Sequence, residues 1–308
     1  MCGIIYAKNL VDNYPVNNLV KILYQNQKDR GQQGFGFVGL LASRIDIYRA
    51  TNEKGITTYL NQYQYDELIF HHRLPTSTEN TLKSTHPFII EIENKKYYFM
   101  HNGIIQNVDT LRENHSQKGI IYSSQDGPDF NDSESLAWDF CLWLNNKQEK
   151  VRAQGSVAFI CLETDKEINR AQKLYFYRND EAFLKIYKDK TLLLLSSEGN
   201  YPLLKKNQLW FWDYQKRRIS TFRALKIQVP DLFNYKYDYN FWDDELYEED
   251  SQINLLEIKD DIKSLEQERD YFLTIGRYGK AERIDEEIED LKKQYKELKK
   301  SFDKWGKV

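Results

Sequence analysis

Between residues 3 and 196 the chain carries nine short runs of apolar, aromatic or β-branched residues, each bounded by turn-forming residues. This spacing restricts the fold more than any other feature. The runs are Gly3–Ala7, Gly34–Leu41, Ile45–Tyr48, Leu68–His71, Tyr97–His101, Ser156–Glu163, Lys173–Tyr177, Leu184–Tyr187 and Leu192–Ser196. Their length and residue types predict strands. Two stretches read as helices instead. One runs from about Val16 to Lys28. The other opens at Asp132 or Ser133 as a cap, with Glu134 in the first turn, and continues through Leu136, Phe140, Trp143 and Leu144. Many strands with two helical stretches predict stacked sheets covered by helices.

The pattern changes toward the C-terminus. Residues 229–252 are aromatic and acidic without a clear period and read as a linker or a surface-wrapping segment. From about Asn254, Leu255, Ile258, Ile262 and Leu265 recur at helical spacing, followed by Phe272 and Ile275. Gly276 to Gly279 interrupts, and a second stripe runs from Ile284 through Ile288, Leu291, Tyr295, Leu298 and Phe302 to Trp305. Two helices joined by a glycine turn predict an antiparallel hairpin or coiled coil. Its segment Tyr278–Ala281 and Arg283–Glu286 distantly resembles the short helical hairpin of excision-repair proteins, and the function assigned to it is oligomerisation or docking. The expected domains are therefore 1–228, a linker at 229–252, and a helical hairpin at 253–308.

Charge and cysteine usage exclude several classes. The net charge is −3 and the basic residues are interspersed with acidic ones, so no nucleic-acid partner is expected. No apolar run approaches membrane-spanning length, and no membrane association is expected. Of three cysteines, Cys141 and Cys161 lie in apolar segments as small core residues, without a disulfide framework. The N-terminus lacks a basic stretch followed by a long apolar region, and the expected location is the cytoplasm.

Cys2 opens the first run. Trimming of Met1 would leave it with a free α-amine of pKa about 7.7–8.0 beside its thiol. Nucleophile and general base would then share one residue. Four further pieces accompany Met1–Ile5. They are Arg30-Gly-Gln-Gln-Gly-Phe-Gly36, His71-His-Arg-Leu-Pro-Thr76 with His86-Pro-Phe88, His101-Asn-Gly-Ile-Ile-Gln-Asn107, and Asp132-Ser-Glu134. In this order and at this spacing they resemble the glutaminase domain of class II glutamine amidotransferases, a group of N-terminal-nucleophile hydrolases. The resemblance covers roughly residues 1–200. It implies an α+β fold, a four-layer α/β/β/α sandwich with two antiparallel sheets face to face.

The resemblance also implies a division of roles. Cys2 would attack the glutamine carboxamide, form a γ-glutamyl thioester and release ammonia. Asn102 and Gly103 match the oxyanion hole, where losing one donor costs about 2.7–4 kcal/mol. Arg73 matches the ligand of the substrate α-carboxylate, Asp132 the acceptor of its α-ammonium, and Thr76 a supporting hydroxyl. Arg30 and Gly31 match a turn near the nucleophile and are read as supporting groups. His71, His86 and His101 fall on positions that serve structure. His71 and His86 are expected to be buried, hydrogen-bonded supports of the substrate loops. Neither a metal nor a cofactor is expected.

Two positions depart from the family pattern: Gln33 replaces an aspartate, and Leu74 replaces an aromatic residue after Arg73. No pyrophosphatase loop, phosphoribosyltransferase loop, sugar isomerase domain or Walker motif follows residue 225. The expected partners are therefore L-glutamine and a separate ammonia-accepting synthase, or a second copy bound through residues 253–308. Two alternatives stay open. One is a catalytically silent member of the fold used as a binding or structural protein through its C-terminal helices. The other is an N-terminal cysteine acylase acting on other amides.

Overall fold

The computed structural model describes residues 2–11, 15–41, 44–74, 80–126 and 129–229, with separate positions between 262 and 296. It divides into two compact units, residues 1–231 and 232–308. In the first unit twelve strands form two six-stranded sheets, antiparallel throughout.

The first sheet contains β1 (Gly3–Asn9), β2 (Phe35–Leu41), β3 (Arg44–Ala50), β4 (Glu67–His72), β9 (Lys185–Lys188) and β10 (Leu192–Ser196), ordered β3-β2-β4-β1-β10-β9. The second contains β5 (Phe88–Ile92), β6 (Lys95–Ile105), β7 (Gly155–Asp165), β8 (Arg170–Arg178), β11 (Gln208–Asp213) and β12 (Arg218–Ala224), ordered β12-β11-β8-β7-β6-β5. Four helices accompany them: α1 (Asn17–Asn26), α2 (Glu53–Gln62), α3 (Val108–Ser116) and α4 (Asp132–Leu144).

Strand periodicity explains the layering. Alternate residues point to opposite faces. On β1, Ile4 and Tyr6 enter the core between the sheets, with Ile69, Tyr98, Met100, Ile160 and Leu195. Ile5 and Ala7 enter a second core, with Val20 and Tyr24 of α1 and Ile56 and Leu60 of α2. On β6, Tyr98 and Met100 face the other sheet, while Tyr97 and Phe99 pack with Leu136 and Phe140 of α4. Both faces of the central strands are thus covered, which is why they read as continuous apolar runs rather than alternating ones. Cys141 and Cys161 are buried in the α4 core, as expected.

All nine expected strands are present. β5, β11, β12, α2 and α3 are additional to the sequence expectation. The cap of α4 is Asn131 rather than Asp132 or Ser133. Its Oδ1 accepts the Ser133 N–H at 2.9 Å, which leaves Asp132 inside the first turn.

In the second unit the described positions are helical. Ile284 and Ile288 are buried, and ion pairs join Arg269 to Asp285 at 3.2 Å and Glu266 to Lys292 at 3.3 Å. The expected linker from 230 onward, the glycine turn and most of the apolar stripe lie outside the described residues. Among the described residues no helix is long and apolar enough to cross a membrane.

Candidate active site

The register of the first sheet gathers one set of strand ends. Gly3 of β1 pairs with His72 at the end of β4, Phe35 at the start of β2 pairs with the same His72, and Ile5 pairs with Ser196 at the end of β10. Cys2 precedes β1 at this edge and is partly buried, its Sγ 3.8 Å from the Leu74 carbonyl. Burial pushes its thiol pKa up. The Leu74 backbone and the Arg73 guanidinium oppose that shift, and the Asp132 carboxylate adds to it. The thiol is therefore a neutral acid at pH 7 and needs a base to become a nucleophile.

Two segments fix the backbone around Cys2. Arg30, in the short 3-10 turn Lys28–Arg30, donates from Nε to the Cys2 carbonyl at 3.0 Å, and its guanidinium pairs with Glu198. Ser197 then holds Ile4, two residues on, from both sides. Its Oγ accepts the Ile4 N–H at 3.0 Å, and its own N–H donates to the Ile4 carbonyl at 3.0 Å.

Asn102 and Gly103 come from β6, opposite Ala158 and Val157 of β7. Asn102 is buried, and its Nδ2 donates to Ser197 Oγ at 3.3 Å. Gly103 has φ +144°, and a Cβ there would lie 1.9 Å from the Ser156 carbonyl oxygen, so only glycine lets β6 approach β7 this closely. His101 supports this stretch. Its Nε2 faces the Ser156 carbonyl at 3.2 Å, so that nitrogen carries the proton, and Nδ1 accepts from Ser133 Oγ at 2.9 Å.

The other histidines are buried as well. His71 donates from Nε2 to the His101 carbonyl at 3.2 Å, as expected of a hydrogen-bonded support. His86 corrects that expectation, because neither ring nitrogen has a partner among the described residues. The His86 ring lies tilted against His71, 3.9 Å between centroids, and makes an edge contact with Phe88. Burial pushes the pKa of His71, His86 and His101 below the usual range, and that of His72 down to about 4. All four rings are neutral at pH 7. No group of three or more His, Cys, Asp or Glu among the described residues is arranged to hold a metal ion.

Arg73 is almost fully buried at the end of β4, and its Nη1 donates to Ser84 Oγ at 2.9 Å. Desolvation lowers its pKa, while the Cys2 and Asp132 charges oppose that shift, so one guanidinium feels both groups. Asp132, in the first turn of α4, accepts the Ile105 N–H through Oδ2 at 2.8 Å. This bond ties the carboxylate to the strand that carries Asn102 and Gly103. Gly31 accepts a hydrogen bond from His72 Nδ1 at 2.7 Å. Thr76 lies outside the described residues. Sequence reasoning missed Ser84, Asn131, Ser197 and Glu198, four polar residues that hold the others. None belongs to a recognisable motif.

No protein-family model and no curated protein matches the sequence. Solved structures do match the fold. The allosteric regulatory enzyme of purine biosynthesis superposes with a TM-score of 0.58 at 15% identity. Glutamine phosphoribosylpyrophosphate amidotransferase from B. subtilis, complexed with ADP and GMP, does so at 0.57 and 15%. Each match covers 73% of this chain and 50% of the other, so this chain spans half the length of these enzymes. At such identity the likeness establishes a shared scaffold: two antiparallel sheets with helices, the fold of glutamine amidotransferase neighbours.

Proposed function

We propose that the protein hydrolyses L-glutamine to glutamate and ammonia through a γ-glutamyl thioester on Cys2, as a class II glutamine amidotransferase. One observation carries this reading. Cys2, the Asn102-Gly103 pair, Arg73 and Asp132 come from four separate segments and share one end of the sandwich, with Arg73 and Asp132 both acting electrostatically on the Cys2 thiol.

With Met1 removed, the Cys2 amine takes the thiol proton, and the sulfur attacks the side-chain amide carbon. The C=O electron pair moves to oxygen, where the Asn102 amide and the Gly103 N–H stabilise it. One N–H of the Asn102 amide goes to Ser197, and the other is assigned to the oxyanion. The amine returns its proton to the leaving nitrogen, the C–N bond breaks, and ammonia departs. The same amine then takes a proton from water, which attacks the thioester and releases glutamate and the thiol. Arg73 binds the substrate α-carboxylate and Asp132 its α-ammonium, with Thr76 in support.

An electrophilic glutamine analogue followed by peptide mapping tests this. Labelling at Cys2, abolished by Cys2→Ala, supports it. Absence of labelling in a chain whose Met1 is removed rejects it and leaves the scaffold as a binding module. The 253–308 hairpin is assigned to docking a separate ammonia-accepting synthase or a second copy. Deleting residues 254–308 is expected to weaken partner-coupled activity and spare glutamine hydrolysis, and equal loss of both rejects the assignment.

A further inference from the structure

Ser197 and Glu198 leave β10 next to the start of β1, and these two consecutive residues touch Ile4, Asn102 and Arg30. Ser197 Oγ accepts the Ile4 N–H and the Asn102 Nδ2–H, at 3.0 and 3.3 Å, and the Ser197 N–H reaches the Ile4 carbonyl at 3.0 Å. Glu198 pairs with Arg30, which donates to the Cys2 carbonyl at 3.0 Å. Ser197 is 193 residues from Ile4 and 95 from Asn102, so no local motif joins these groups.

We propose that Ser197 is a positioning residue that sets the direction of the Asn102 amide relative to Cys2, while Glu198 steadies the Cys2 backbone through Arg30. The inference rests on the amidotransferase reading and adds two residues to it. A side-chain amide turns about its last torsion with little resistance. An oxyanion donor stabilises the transition state only when it is already aimed at the developing charge. The Ser197 hydroxyl occupies one of the two Asn102 N–H groups and so directs the other. Because the same oxygen also holds Ile4, two residues after the nucleophile, donor and nucleophile share one reference point. Ser197 touches neither substrate nor reacting atoms in this arrangement, and its effect passes through Asn102.

The test is a double-mutant cycle on the full chain, read as steady-state glutamine hydrolysis. Deleting an oxyanion donor costs about 10²–10³ in kcat, and loosening one costs less. S197A is expected to lower kcat about tenfold with KM changed less than about twofold. In the Asn102→Ala background the same substitution is expected to change kcat less than about twofold. E198A, at a site whose side chain is 42% exposed, is expected to lower kcat by a similar factor in both backgrounds, because it acts on Cys2. Equal losses from S197A in both backgrounds, or a loss carried by KM, overturn the proposal. S197C keeps the volume and weakens the acceptor, and takes the place of S197A should that variant not fold.

A second readout separates this proposal from the activity itself. In ¹⁵N-labelled protein the Asn102 side-chain amide proton bonded to Ser197 is expected to exchange slowly in the wild type and quickly in S197A. If the wild type hydrolyses no glutamine but shows this difference, the amidotransferase reading fails and the hydrogen bond stands. Fast exchange in the wild type overturns the positioning role whatever the activity.

Discussion

Gly3→Ala isolates one contact on which the start of β1 depends. Gly3 lies in a strand whose backbone any residue adopts, so alanine meets no conformational penalty there. The obstacle is His72. An alanine Cβ would sit 2.0 Å from Nε2, 2.6 Å from Cε1 and 2.8 Å from Cδ2 of that buried ring. Ordinary contact begins near 3.4 Å, so the ring must retreat by about 1.4 Å. Its Nδ1 is bonded to the Gly31 carbonyl at 2.7 Å, and such a retreat breaks that bond. Overpacking costs about 1–3 kcal/mol, and leaving a buried donor and acceptor unmet costs about 1–3 kcal/mol more. Lower entropy of the unfolded alanine chain returns about 0.4–1 kcal/mol. The expected net loss is about 1–6 kcal/mol, a large part of a typical domain stability. Urea denaturation of the wild type, G3A, H72A and the double variant measures it. If His72 is the obstacle, the double variant matches H72A alone to within about 0.5 kcal/mol. A G3A loss that persists in the H72A background, or one below about 0.5 kcal/mol in the wild type, refutes the reasoning.

Three further outcomes are expected. Asn102→Ala lowers kcat for glutamine by about 10²–10³ with little change in KM, measured by ammonia release; a loss confined to KM contradicts its place as an oxyanion donor. Arg73→Lys keeps the charge but loses the planar fork, and is expected to raise KM about tenfold; an unchanged KM removes Arg73 from carboxylate binding. His72 has a native pKa of about 4 against an unfolded value near 6.5, so between those pH values the unfolded chain binds the extra proton. Its contribution to stability is whole above about pH 6.5 and falls by about 1.36 kcal/mol per pH unit toward pH 4. His71, His86 and His101 act in the same direction, and H72Q is expected to flatten the slope in a denaturation series by about one proton.

The sequence was most readable where burial was most complete. Strands such as β1, β6 and β7 are covered on both faces, and their unbroken apolar runs announced them. The missed elements are the half-wet ones. β12 is mostly exposed and carries four polar or charged residues among its seven. α3 buries only Leu111 and His115, while α2 buries Ile56 and Leu60 and carries Gly55 near its start, a poor helix former. The site divides along similar lines. Cys2, Arg73, Asn102, Gly103 and Asp132 sit in local patterns that resemble those of the amidotransferases, so the sequence singled them out as candidates. Ser84, Asn131, Ser197 and Glu198 are ordinary polar residues whose value lies in the partner the fold brings to them.

The place of β1 within its sheet follows from what the proposed chemistry demands. The first residues of a chain fray unless tied down, yet a catalytic group has to be held to within about 0.5 Å. On an edge strand Cys2 would adjoin one neighbour. β1 lies fourth of six, between β4 and β10, so Gly3 and Ile5 are paired on opposite sides while Arg30 and Ser197 fix the Cys2 and Ile4 backbones. The same enclosure removes water from the sulfur and raises its pKa, so rigidity and thiolate formation pull against each other. A base carried by the nucleophilic residue itself resolves the conflict, because its distance from the sulfur is set by covalent geometry and needs no further segment of chain. A variant that retains Met1 keeps every one of these hydrogen bonds and loses only that base. It is therefore expected to keep the fold and the Ser197–Asn102 contact while losing glutamine hydrolysis, and full activity with Met1 present, measured by intact mass and ammonia release on one preparation, would show that the base lies elsewhere.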